Sequence, residues 1–159
     1  HGNCIAFATQ ICVCCDIVIA AEDAKIGVPV MPNDWYADWW VYRVGAQRAK
    51  LLNFTGGSTI NGLEAVEWGF AAKAFPAEQL NEETQRLARW IAKTPLQVLR
   101  LKKQAINQVE DVMGFRTAAR YTASHNIMVA RSDASLEVSA FMREHGLAAT
   151  RERFAPPED

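Results

Sequence analysis

The stretch His1–Val30, HGNCIAFATQICVCCDIVIAAEDAKIGVPV, decides the fold. From Ala8 to Cys15 its residues are small and apolar, and Asp16-Ile17-Val18-Ile19-Ala20 follows with the β-branched content of a buried strand. The order read here is a helix feeding a strand. Gly27, Pro29 and Pro32 then punctuate the chain and force a loop through Asn33-Asp34-Trp35-Tyr36, before a helical pattern resumes near Asp38. Polar chemistry can sit on that loop.

Working outward, Thr55-Gly56-Gly57-Ser58 reads as a turn, and Asn61 with Glu64 three residues later has the N-cap and N3 pattern of a helix start. That helix should end near Gly69. An extended piece ending at Phe75-Pro76 precedes a helix over about 78–93, in which Leu80, Leu87, Trp90 and Ile91 are spaced to share a face. Thr94-Pro95 closes it, and helices are read over 96–108, 115–130 and 135–145, separated by Gly114 and by Ser132-Asp133. The second half is mostly helical.

The chain has 159 residues, 50% hydrophobic and 22% charged, enough for one core. A formal net charge of -1 gives no electrostatic footprint for nucleic acid or an anionic membrane surface. The most apolar stretch, Ile5 to Ala21, is interrupted by Thr9, Gln10 and Asp16 and is too short and polar to span a bilayer. Cys4, Cys12, Cys14 and Cys15 crowd one segment with no second cluster to complete a metal site. They read as reduced, buried core thiols, with a metal or redox role as the alternative, and imply a cytoplasmic protein. The chain opens on His1 with no secretory pattern, and a fragment is expected.

Gly2-Asn3-Cys4-Ile5-Ala6, then Cys15-Asp16-Ile17-Val18-Ile19-Ala20 and Ala24-Lys25-Ile26-Gly27-Val28-Pro29, resemble the central signature of the crotonase superfamily, the enoyl-CoA hydratase/isomerase group. Val44-Gly45, Arg48-Ala49, Phe54-Thr55-Gly56, Glu64-Ala65, Trp68-Gly69 and Phe75-Pro76 are similar to the family's next block, and Ser139-Ala140-Phe141 to its C-terminal helices. The resemblance implies an α/β fold: the second half of a crotonase-like ββα superhelix over 1–76, then a helical region over 77–159 that covers the site and mediates oligomer contacts. It also implies an acyl-CoA thioester substrate, no cofactor or metal beyond the coenzyme A of that substrate, and a trimer or hexamer. A further expectation is an upstream half of the fold, carried on the same or a separate chain.

The family acts through an enolate-like oxyanion held by two backbone N–H groups, and the second donor maps to Phe7, after Ala6, where relatives carry a glycine run. The alternative makes Phe7 a core aromatic. The two glutamates of hydratases map to Gln10 and Val30, neither of which can exchange a proton near neutral pH. Simple hydration is therefore not expected, whereas isomerisation, carbon–carbon hydrolysis or another step of fatty acid or ring degradation is. Asp34 and Asp38 are the nearby carboxylates, Asp34 first because Asn33-Asp34 resembles the loop of aroyl-CoA dehalogenases; each also reads as a turn or cap residue. Ala6, Val30, Trp35 and Trp39 are candidates to line the acyl pocket, the tryptophans equally suiting a buried helix face. Lys103 and Phe154 occupy regions that approach the CoA nucleotide in relatives. The competing reading is a catalytically silent subunit, or a truncated fragment, with an assembly role.

Overall fold

In the computed structural model, residues 1–30 and 37–155 are described. β1 (Asn3–Ile5), α1 (Phe7–Cys14), β2 (Ile19–Ala21) and β3 (Lys25–Gly27) open the chain, and a 3-10 helix over Ala37–Trp40 leads into α2 (Val41–Phe54). Next come β4 (Thr59–Ile60), α3 (Gly62–Trp68) and β5 (Lys73–Phe75), and α4 (Leu80–Ile91), α5 (Leu96–Val112), α6 (Phe115–Ala130) and α7 (Asp133–Phe154) complete it.

The strands build a spiral. β1 pairs in parallel with β3, Asn3 opposite Lys25 and Ile5 opposite Gly27, while β2 pairs in parallel with β5, Ile19 opposite Lys73. Neighbours in sequence, β2 and β3, thus fall in different sheets, and β4 closes the first sheet antiparallel to β3. Two backbone bonds keep the layers in step: Gly62 N donates to Glu22 O at 2.9 Å, and Ala72 N donates to Val18 O at 2.8 Å.

Small residues let the layers approach. The core consists of Val13, Ala20, Ala21, Ala24, Ile26 and Val28 from the first spiral turn, with Val44, Ala49 and Leu52 of α2, Ile60, Ala65, Phe70 and Ala71. Trp40 is fully buried at its centre, stacked on Phe70 with ring centroids 4.3 Å apart. Its indole N–H donates to the Thr9 hydroxyl at 3.4 Å, so the largest apolar side chain leaves no orphan donor. Arg43 reaches from α2 to the other end of α1 and donates to the carbonyls of Val13 and Cys15 at 2.7 and 2.8 Å. A cation there satisfies helix-end acceptors and matches the negative end of the helix dipole.

Several expectations meet corrections. α4 carries no buried residue, and Trp90 is 69% exposed rather than on the face shared by Leu80, Leu87 and Ile91. At about 100° per residue Trp90 lies roughly 60° around the helix from Leu87, on the rim of that face. The helix read to His145 does stop there, because Gly146 takes the non-helical φ 81° and ψ 174°; what the reading lacks is the second helical segment that follows, to Phe154. Cys14 and Cys15 are exposed at the C-terminal end of α1, whereas Cys4 and Cys12 are half-buried with their sulfurs 3.7 Å apart. All four are free thiols. No helix among the described residues is long and apolar enough to cross a membrane.

Candidate active site

The site starts from a strained turn. Ala6, between β1 and α1, has φ 56° and ψ -122°, and among the described residues it is the sole non-glycine at positive φ. Those angles belong to the first central residue of a type II′ turn, a place that favours glycine. Three bonds hold it: Ala6 N donates to Gly27 O at 3.2 Å, while Thr9 N and the Thr9 hydroxyl both donate to Ala6 O, at 3.0 and 2.7 Å. The chain therefore turns sharply from β1 into α1, and Phe7 becomes the first helical residue. Its N–H lies in the first turn, where no carbonyl four residues back is in place and the helix presents its positive end. Phe7 is 68% exposed in this chain.

Gln10 follows one turn along α1 and is buried, as is Val30 on the segment after β3. That segment is clamped to the turn after α2: Val28 N donates to Ser58 O at 3.3 Å, and Gly57 N donates to Pro29 O at 3.1 Å. No side chain fits at Gly27, whose Cβ would sit 2.1 Å from Ser58 O. A Cβ at Gly57 would meet Ala155 Cβ at 2.9 Å and Val30 Cβ at 3.5 Å, so the end of α7 closes over Val30. β1 and β3 end side by side, Ile5 opposite Gly27, and Phe7 and Gln10 follow the one strand as Val30 follows the other.

Beside the segment after β3 lies a cavity of about 350 Å³, walled by Val28, Pro29 and Val30, by Asn53, Phe54 and Gly56 at the end of α2, and by Asn126, Val129, Val138 and Phe154 of α6 and α7. Asp38 also lines it. Burial pushes the Asp38 carboxyl above its ordinary range, with nearby His125 opposing that shift. Val30, Asp38 and Phe154 are thus brought together. Trp39 packs on Phe115 of α6, ring centroids 5.4 Å apart, while Asp34 and Trp35 lie outside the described residues. Lys103 is ion-paired with Asp16 and lines a different cavity, of about 700 Å³, between α5, α6 and the C-terminal end of α1. Lys103 and Phe154 thus line different cavities.

Two site residues had no sequence signal. Asn126 and Asn53 enter the cavity from helices remote in sequence, and only tertiary packing shows them. At the opening of the chain the Cys4 thiol hydrogen-bonds to Cys12, holding the Cys12 thiol down at about 7, while Cys4 is pushed up by the same bond and by burial.

A spiral of short paired strands with a helix after its first strand, followed by a run of helices, is the crotonase fold. Residues 1–143 match the enoyl-CoA hydratase/isomerase family. The chain superposes on a protein of Novosphingobium aromaticivorans assigned to the enoyl-CoA hydratases/isomerases, with TM-score 0.92 and 32% identity, over 99% of this chain and 59% of that one. The Mycobacterium tuberculosis protein EchA13, assigned as an enoyl-CoA hydratase, is 32% identical over 74% of this chain and 38% of its own length. The 1,2-epoxyphenylacetyl-CoA isomerase of Escherichia coli is 37% identical over 60% of this chain and 38% of its own. This chain belongs to the enoyl-CoA hydratase/isomerase family. It spans between about two fifths and three fifths of the length of these relatives.

Proposed function

We propose that this protein processes acyl-CoA thioesters through an oxyanion-stabilised enolate, and that it does so without the two-carboxylate hydration step. The observation that carries the reading is the Ala6–Phe7 turn: a strained backbone, pinned by three hydrogen bonds, starts α1 at Phe7 directly after β1. Such a donor stabilises negative charge on a thioester oxygen as it develops, typically by several kcal/mol when one donor of a pair is counted. Gln10 and Val30 stand at the usual acid/base positions and can neither take nor give a proton, so a base must come from elsewhere. Asp34 is the first candidate and Asp38 the second. The base takes the proton from the carbon next to the thioester, the electron pair moves onto the carbonyl oxygen, and the Phe7 N–H holds it.

A cytoplasmic homo-oligomer without a resident cofactor belongs to the same reading. The alternative, a silent assembly subunit, draws on one observation: α5 has no buried residue and exposes Leu101, Ile106, Val109 and Val112. Calorimetry with a panel of acyl-CoA esters, followed by single-turnover assays on Asp34→Asn and Asp38→Asn variants, tests the two against each other. The enzyme reading expects binding, and loss of chemistry with binding retained in one of the variants. Absence of binding by every ester at millimolar concentration would sink it; binding with no turnover of any ester would favour the silent subunit.

A further inference from the structure

The four cysteines, which the acyl-CoA reading leaves without a role, divide into two pairs of different kind. Cys14 and Cys15 are exposed at the end of α1, and the Cys14 thiol is pushed up by its partial burial and by Cys15. Cys4 and Cys12 are half-buried free thiols whose sulfurs stand 3.7 Å apart. Cys4 lies in β1 opposite Ile26 of β3, and Cys12 lies in α1, whose far end Arg43 holds through the carbonyls of Val13 and Cys15. Both backbones are anchored, so the fold itself brings the two sulfurs together. A disulfide is about 2 Å long, and closing the remaining gap of less than about 2 Å is within the reach of a side-chain rotation. The hydrogen bond between the thiols also divides their acidity, holding Cys12 down at about 7 and, together with burial, pushing Cys4 up. Near neutral pH about half of Cys12 is then thiolate, the form that attacks an oxidant.

We propose that Cys4 and Cys12 form a reversible oxidation site, in which a peroxide oxidises Cys12 and Cys4 resolves the product to a disulfide that a thiol reductant reopens. In the first step the Cys12 thiolate attacks one peroxide oxygen; the S–O bond forms, the O–O bond breaks, and hydroxide leaves and takes up a proton as water. In the second, the Cys4 sulfur attacks the Cys12 sulfenic acid; the S–S bond forms, the S–O bond breaks, and the departing hydroxide takes the Cys4 proton as a second water. Two thiols are oxidised and one peroxide is reduced. A small thiol returns both hydrogens by exchange through a mixed disulfide. The bridge ties β1 to α1 across the Ala6–Phe7 turn, so Phe7, Thr9 and Gln10 all lie inside the ring it closes. The assignment stands on the two thiols and does not depend on the acyl-CoA reading, although it places the oxidation beside the turn that reading uses.

The test treats the full chain, with Cys14 and Cys15 changed to serine, with equimolar hydrogen peroxide in the presence of the sulfenic-acid trap dimedone, and reads the mass of the tryptic peptide His1–Lys25, which carries both thiols. In the folded protein that peptide should lose two hydrogens and carry no dimedone, and dithiothreitol should restore it. The same chain in urea should give mainly the dimedone adduct, because the thiols are then no longer held together. With Cys4→Ser added, the folded protein should carry dimedone on Cys12, and with Cys12→Ser added instead, Cys4 should stay unmodified. The unsubstituted pair is itself the decisive sample, so the result does not hang on how either serine variant folds. A folded protein that gives dimedone adduct in the same yield as the urea-denatured chain, or that keeps both thiols while a free thiol in the same solution is oxidised, overturns the proposal. Dimedone on Cys4 rather than Cys12 in the two single-thiol variants overturns the assigned roles.

Discussion

Replacing Ala6 by glycine should stabilise the protein, although glycine usually weakens a structure. The Ala6 backbone, at φ 56° and ψ -122°, sits in a region that an L side chain adopts only under strain, at a cost of about 1–3 kcal/mol. Glycine adopts it freely. Against that relief stands the extra backbone entropy a glycine loses on folding, roughly 0.5–1 kcal/mol. The lost methyl group is only half-buried, so about half of the roughly 0.8 kcal/mol of a fully buried methylene is forfeited. With central values the relief of about 2 kcal/mol exceeds the losses by about 1 kcal/mol. For a chain of this size that corresponds to a rise of about 2–4 °C in the thermal midpoint.

Urea denaturation of Ala6→Gly is the assay, with Ala8→Gly as its internal control. Ala8 lies two residues on in regular helix, carries no such strain, and should lose up to about 1 kcal/mol. The midpoint should therefore rise in one variant and fall in the other, with the denaturant slope unchanged in both. A fall of equal size in both would show that Ala6 is not strained, and would remove the main support for a fixed N–H donor at Phe7.

Three other perturbations test separate parts of the structure. Gly62→Ala should cost about 3 kcal/mol or more in an equilibrium melt, because the new Cβ would lie 1.9 Å from Ala21 O and 2.8 Å from Ala21 C, all backbone; helix propensity alone expects a gain of about 1 kcal/mol, so the sign decides. In a variant with Cys14 and Cys15 changed to serine, the rate of iodoacetamide alkylation at Cys12 should reach half its maximum near pH 7, and Cys4→Val should move that midpoint up towards the ordinary thiol value; an unmoved midpoint would mean that the Cys4 thiol does not hold the Cys12 thiolate. Burial raises the Asp38 carboxyl, so the folded state holds its proton more tightly than the unfolded chain, and this residue's contribution to stability is lost as pH rises from the ordinary carboxylate range through the raised value. Asp38→Asn should therefore melt at a higher temperature than the parent protein at pH 7, with the gap closing below about pH 4; a gap that widens in acid would reverse the assignment.

Much of the secondary structure was legible because its boundaries carry local chemistry. The Asn61–Glu64 box forms as read, with Asn61 Oδ1 accepting from Glu64 N at 2.9 Å and Asn61 N donating to Glu64 Oε2 at 2.7 Å. Gly69 ends α3 in the left-handed conformation, and Gly114 precedes a helix with the expected ends, Phe115–Ala130. Where local signals are weak the reading stops early: nothing between Gln108 and Val112 breaks a helix, and α5 continues through them. Strands of two or three residues are too short to show alternation, and their pairing across the spiral follows from layer packing. Phe7, Gln10 and Val30 are singled out by the family resemblance alone, and no local pattern marks them. Asn126 was not, since one asparagine within a helix has no local pattern; its meaning lies in the apolar walls that three other segments bring to it.

On the proposed reading positions 10 and 30 are where hydratases carry glutamates, and the two side chains that stand there in this chain differ in kind. Gln10 keeps the length of a glutamate and retains hydrogen-bonding capacity in a buried site. Val30 removes polarity altogether, and its surroundings agree with that: Val28 precedes it, Gly57 leaves room for it, and Ala155 closes on the same spot. A carboxylate at position 30 would be desolvated against these groups with no cation among the residues that wall the cavity, so its pKa would be raised.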